Sequence, residues 1–319
     1  MKQQQFEQRG RPRWQEFEAL LGRLEAGGRS EAPDYPFRYR RICQDLALAR
    51  DRRFSRSLVE QLNDLALRGH RSLYRARRGS LRELGAFVGR DFPRAVRAEW
   101  RLVLFVTLLF YGSAGVLAGA VQFEPELVYS FLEPGSVAQL EEMYDPAGAR
   151  VGVAPDAQED LARFGYYIWN NVSIAFRTFA AGLLFGAGTL FIVTFNAVYL
   201  GLVLGHLTQI GFGEPIRTFV IAHGAFELTA ILFCGVAGMR LGLSLLSPGG
   251  RSRRLALRED AHRALPLVYG SALMLLLAAA IEAFWSPLPL AASVKYGVGA
   301  VLWTLLLLYL LLAGRPRAN

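Results

Sequence analysis

Apolar and polar positions are patterned differently on the two sides of residue 101. Before it, leucines and aromatics recur at helical spacing among charges; beyond it, long runs carry almost no charge. Leu58, Leu62, Leu65 and Leu73 keep one helical face while Glu60, Gln61 and Asp64 fill the other, which predicts an amphipathic helix. Leu20, Leu21 and Leu24 mark an earlier helix that stops at Gly27-Gly28. Pro33 and Pro36 punctuate a linker, and further helices are predicted over Phe37 to Arg53 and near Leu81 to Arg90. Asp91-Phe92-Pro93 follows, with Pro93 suited to open the next helix. Residues 1–101 therefore read as a small cytoplasmic helical bundle with a solvated basic face.

Residues 102–313 read as an all-α polytopic transmembrane bundle. Leu102 to Val121 is twenty residues without a charge, enough for one crossing. Tyr166 to Leu207 spans 42 residues, and two helices of roughly 20 residues at about 1.5 Å rise each cover two passages. Their turn is expected near Gly182-Leu183-Leu184-Phe185-Gly186-Ala187-Gly188, with a re-entrant hairpin as the alternative. Arg217 to Leu246, Leu265 to Phe284 and Tyr296 to Ala313 complete about six crossings, followed by a tail over 314–319. Gly182/Gly186, Gly201/Gly205 and Gly238/Gly242, like Gly115/Gly119, have the four-residue spacing that lets helices approach closely, within one protomer or in a homo-oligomer.

Charge orients this bundle. Residues 1–101 hold 23 Lys and Arg against 13 Asp and Glu, an excess of ten, in a chain whose formal net charge is +9. Residues 122–163 carry nine acidic residues against Arg150 and Arg163, with Pro125, Pro134, Pro146 and Pro155 among them. Basic residues beside a span are retained in the cytoplasm and attract anionic lipid, so both termini are expected inside and 122–163 is expected as an irregular external loop with one short helix. Nucleic acid is not an expected partner, because no recognised binding motif accompanies the charge. The hydrophobic fraction of 52% and mean hydropathy of +0.23 exclude an ordinary soluble pair of domains. Met1 to Gly10 has no apolar core, so no cleavable signal peptide is expected. Cys43 and Cys234 fall in different layers, which argues against a disulfide or a cysteine metal cluster.

Candidate chemistry gathers in the spans. His223 and Glu227 lie one turn apart on one helical face, and ionisable side chains at that depth need partners or water. Asn170 and Asn171 are expected at a comparable depth, Asn196 near mid-membrane, and Arg177 deeper toward the cytoplasm, where it is a candidate to neutralise Glu227. Glu282 and Lys295 read as residues reaching the external interface. Three readings of the cluster stay open: a hydrogen-bond network fixing helix packing, a binding or transport site, and metal-assisted hydrolysis. No HExxH is present, since Gly224 follows His223, and a zinc centre generally takes three protein ligands. No GxSxG elbow or GxxxxGK[ST] loop occurs.

Tyr167-Ile168-Trp169-Asn170-Asn171, Asn196-Ala197-Val198-Tyr199-Leu200-Gly201, His223-Gly224-Ala225-Phe226-Glu227-Leu228 and Ala237-Gly238-Met239-Arg240-Leu241-Gly242 together resemble the stage II sporulation protein M family over roughly residues 90–313. The resemblance implies a multi-pass membrane protein; the family's namesake in spore formers is a membrane scaffold for cell-wall-degrading partners. The long basic N-terminal region departs from that compact form. The expectation is therefore a general scaffold in the bacterial cytoplasmic membrane, with lipids and other envelope proteins as partners. No cofactor is expected for a scaffold. The alternative is an intramembrane hydrolase or transporter with a divalent metal at His223 and Glu227.

Overall fold

A computed structural model describes residues 3–25, 34–74, 81–148, 151–152 and 160–315. The described residues are helical and contain no strand. The chain forms two compact units, Met1–Glu83 and Leu84–Asn319, so residues 84–101 belong with the apolar helices rather than with the basic region that precedes them.

The first unit packs α1 (Gln3–Glu25), α2 (Tyr35–Asp51) and α3 (Arg56–Tyr74) around Phe6, Trp14, Phe17, Leu21, Ile42, Leu46, Leu62 and Leu65. Pro36 sits in the first turn of α2, where a missing N–H costs nothing. The Gly27-Gly28 stop and Pro33 lie outside the described residues. Asp45 is buried in this core and accepts from Trp14 Nε1 at 2.8 Å, Arg13 Nε at 2.9 Å and Arg13 Nη2 at 2.7 Å. That bidentate fork with a third donor satisfies a carboxylate that burial alone would penalise.

The boundary falls within α4 (Leu81–Ala86), which runs through a single π turn, Phe87–Asp91, into α5 (Phe92–Ala98) and α6 (Trp100–Phe123) of the second unit. A 3₁₀ turn, Pro125–Ser130, and α7 (Pro134–Tyr144) follow, then α8 (Asp160–Ala180), a 3₁₀ turn at Ala181–Leu183, α9 (Ala187–Gln209), α10 (Gly213–Leu246), α11 (Arg253–Phe284) and α12 (Ala292–Leu312). Five of these, α6, α9, α10, α11 and α12, are long and apolar enough to cross a membrane. The helix α8 falls short on hydropathy, because Asn170, Asn171 and Arg177 interrupt it. Its 21 residues nevertheless pack against α10 and α11.

The ends of this unit meet. Arg97 Nη1 and Nη2 donate to the carbonyls of Leu310 and Ala313, and Arg94 donates to Gly314. Guanidinium groups thereby satisfy carbonyls that the end of α12 leaves without intrahelical partners. Entry and exit lie at one end of the bundle, which fits α8 returning as a sixth helix between the ends.

The centre is α10. In its most apolar stretch 67% of residues are buried, against 17% in α6 and α12. Small residues explain how so many neighbours reach it. A Cβ on Gly182 would overlap the Gly238 carbonyl, one on Gly242 the backbone of Gly186, and one on Gly201 the Ala114 carbonyl. Gly205 lies against Ala118 in the same way. Gly186 also turns the chain into α9 at φ +82°, a conformation that side chains resist. Gly115 and Gly119 face open space, so their spacing is not used inside the protomer.

The two ends of the bundle are finished differently. At the α5–α12 end, Asp260 is buried among Arg240 (3.3 Å), Arg251 (3.5 Å) and Arg263 (3.6 Å), and Arg240 also pairs with Glu99 at 3.4 Å. At the other end, the acidic segment folds back as a cap. Val128, Val137 and Tyr144 are buried against Val121, Leu202, Leu207 and Phe219, and Glu141 bonds His206 Nε2 at 2.7 Å. Glu124, Glu126, Glu133 and Glu142 stay exposed.

Candidate functional site

The site lies beneath that cap. The N-terminal part of α10 presents His223 and Glu227 one turn apart, and the last turn of α11 brings Glu282 to them. One ligand-type atom from each of the three residues lies within 4.8 Å of the others. His223 Nε2 stands 4.0 Å from Glu227 Oε2, with side chains only 5% and 18% exposed.

Supporting groups hold His223 and Glu282. His223 Nδ1 is hydrogen-bonded to Ser286 Oγ at 2.9 Å. Among the described residues Nε2 has no hydrogen-bond partner. With Nδ1–H donating to the serine, Nε2 keeps its lone pair toward the carboxylates. Asn171 Nδ2 donates to Glu282 Oε2 at 3.4 Å, and Asn170 Nδ2 donates to Asn171 Oδ1 at 3.0 Å. Buried Lys295 donates from Nζ to the Ser286 carbonyl at 2.8 Å, so its charge sits at the C-terminal end of α11.

The cap roofs the group. Tyr144 meets Phe219 edge-on at 5.9 Å, and Phe219 meets His223 edge-on at 5.3 Å. Gly152 carries the chain over the Phe219 ring at φ +77°, where a Cβ would overlap it. Burial, reinforced by the carboxylate of Glu282, pushes the Tyr144 phenol well above its ordinary 10.0.

Of the residues singled out from sequence, His223, Glu227 and Asn171 come together, with Asn170 behind them. Asn196 does not join; its amide bonds the Ile192 carbonyl of its own helix at 2.8 Å. Arg177 is exposed, six residues beyond Asn171 along α8. Glu282 and Lys295, read from sequence as interface residues, are instead folded inward. Depth was the available signal: Glu282 lies in the last turn of α11 at the capped end of the bundle, and His223 lies in the N-terminal part of α10, which starts from that end.

Fold and site together define a polytopic helical membrane protein with a buried His-Glu-Glu centre beneath an acidic cap. Residues 101–287 match the family described as stage II sporulation protein M, and the chain belongs to that family. Residues 4–75 match a domain of unknown function, DUF8413. The uncharacterized protein MJ0793 of Methanocaldococcus jannaschii is 27% identical over 128 residues, which is 39% of this chain and 71% of that protein. No solved structure matches.

Proposed function

We propose that this chain is a non-enzymatic membrane scaffold that organises envelope-associated partners, placed in the bacterial cytoplasmic membrane with both termini inside. The observation that supports it best is the cap. The described part of the acidic segment, 122–148 and 151–152, folds onto the bundle through Val128, Val137 and Tyr144, and so displays Glu124, Glu126, Glu133 and Glu142 on a fixed platform. A loop serving only to connect helices has no need of a buried apolar side. Such a platform suits a partner with a basic face, through complementary charge that sets recognition and rate of encounter. The basic helical unit at the N-terminus would hold cytoplasmic partners and anionic lipid.

A photo-crosslinking residue in place of Glu142, in cells that make the protein, tests this. Crosslinks to one or a few envelope proteins are expected, and they should disappear when Glu124, Glu126 and Glu133 are changed to Gln. Crosslinks to lipid and to the chain itself alone would overturn the reading. A second reading, an intramembrane hydrolase or transporter, is favoured by one observation: the convergence of His223, Glu227 and Glu282.

A further inference from the structure

We propose that His223, Glu227 and Glu282 bind one divalent transition-metal cation, Zn²⁺ or Mn²⁺, which ties α10 to α11 beneath the cap. The proposal does not depend on the scaffold reading, since a metal can brace a scaffold as readily as it can serve an enzyme.

Charge balance is the first argument. Two carboxylates converge in a buried place, and Glu282 adds its charge to the carbonyl end of α11, where a helix favours cations. Among the described residues the only side-chain donor bonded to either carboxylate is the Asn171 amide. Lys295 is spent on the Ser286 carbonyl. Buried Arg163 likewise donates to a backbone carbonyl, that of Ala283, at 3.5 Å, and the two carboxylates leave room for a bound cation or for protons.

The donor set decides between cations. One imidazole nitrogen with two carboxylates suits Zn²⁺ or Mn²⁺; Ca²⁺ takes six to eight oxygens, and Mg²⁺ favours an all-oxygen octahedron. The His223 side chain is more than nine-tenths buried, and its Nε2, without a hydrogen bond, is aimed at the carboxylates. Ser286 on Nδ1 and Asn171 on Glu282 are outer partners of the kind that orient metal ligands; in the tautomer where Nδ1–H donates to Ser286 Oγ, Nε2 is open to a metal. Zinc bonds of about 2.0–2.2 Å place ligand atoms roughly 3.4 Å apart in a tetrahedron. Small rotations of two glutamates close that distance from 4.8 Å. Three protein ligands leave a fourth position for water.

The test uses the full chain in lipid nanodiscs, stripped with a chelator, loaded with Zn²⁺ or Mn²⁺ alone, and desalted. Elemental analysis is expected to find one equivalent per chain, and loading should raise the Tm. Glu282→Gln and His223→Ala should each lose the metal and the Tm rise, while Glu142→Gln on the exposed cap keeps both. A wild type that retains no metal overturns the proposal and leaves protons to balance the carboxylates. Loss of the metal in Glu142→Gln overturns it too, by placing the cation on the cap surface. Should the site variants fail to insert, X-ray absorption of the zinc-loaded wild type decides: one imidazole among oxygen ligands is expected, and a shell without imidazole refutes it.

Discussion

Gly182 and Gly238 meet backbone to backbone, with no room for a Cβ on Gly182 beside the Gly238 carbonyl. The contact lets the turn after α8 lie directly on α10. With Gly186 against Gly242, it fixes the returning pair α8–α9 on the central helix. Gly182→Ala should therefore destabilise the bundle by roughly 1–3 kcal/mol, the usual cost of overpacking. Gly115→Ala, which meets open space, should stay within about 0.5 kcal/mol of wild type. Thermal unfolding of the two variants in one detergent checks this. Equal effects would mean that the Gly182 contact does not hold the bundle.

Asp260 anchors the same end of α10, where its partner Arg240 lies two residues beyond Gly238. Its carboxylate is buried, and Arg240, only 27% exposed, depends on it and on Glu99 for charge. Asp260→Ala leaves a half-buried guanidinium short of a partner, and removing one member of a buried pair costs about 3–5 kcal/mol. Arg263→Ala, at the 61%-exposed rim, should cost less than about 1 kcal/mol. Hydrogen exchange at this end of α10 and α11 reads the difference. Similar exchange rates in the two variants would assign Asp260 no special part.

The cap should loosen in alkali. Docked, the Tyr144 phenol has its pKa raised by burial; undocked, it ionises near 10.0. A raised folded value means the docked state favours the neutral phenol, so its contribution is complete below pH 10 and falls as pH climbs past it. Protease access to α7 should rise above that pH in wild type, and Tyr144→Phe should move the rise upward. An unchanged profile in Tyr144→Phe would assign the transition to another group.

Much of the architecture was legible from apolar run lengths. The spans, the turn near Gly182 to Gly188 and the amphipathic helix through Leu58, Leu62 and Leu65 all follow from local spacing. The glycine spacing showed that helices approach closely, but not which ones. Gly201 and Gly205 find α6, whereas Gly115 and Gly119 on that same helix find nothing. Side-chain direction was hidden too. Arg177 is exposed and Asn196 bonds its own helix, so neither joins the polar group, because helix rotation is set by packing. Glu282 and Lys295 turn inward to partners on other segments, Asn171 and the Ser286 carbonyl, which their own local sequence does not reveal.

The most direct measurement of the scaffold reading is rescue of a strain lacking the gene by the Glu227→Gln chain, at matched membrane abundance, with partner recovery measured alongside. A scaffold predicts that this variant, once inserted, recovers the same partners in the same amounts and restores the strain as wild type does. Wild-type abundance and partner recovery without rescue would contradict the scaffold and place the working chemistry in the buried centre.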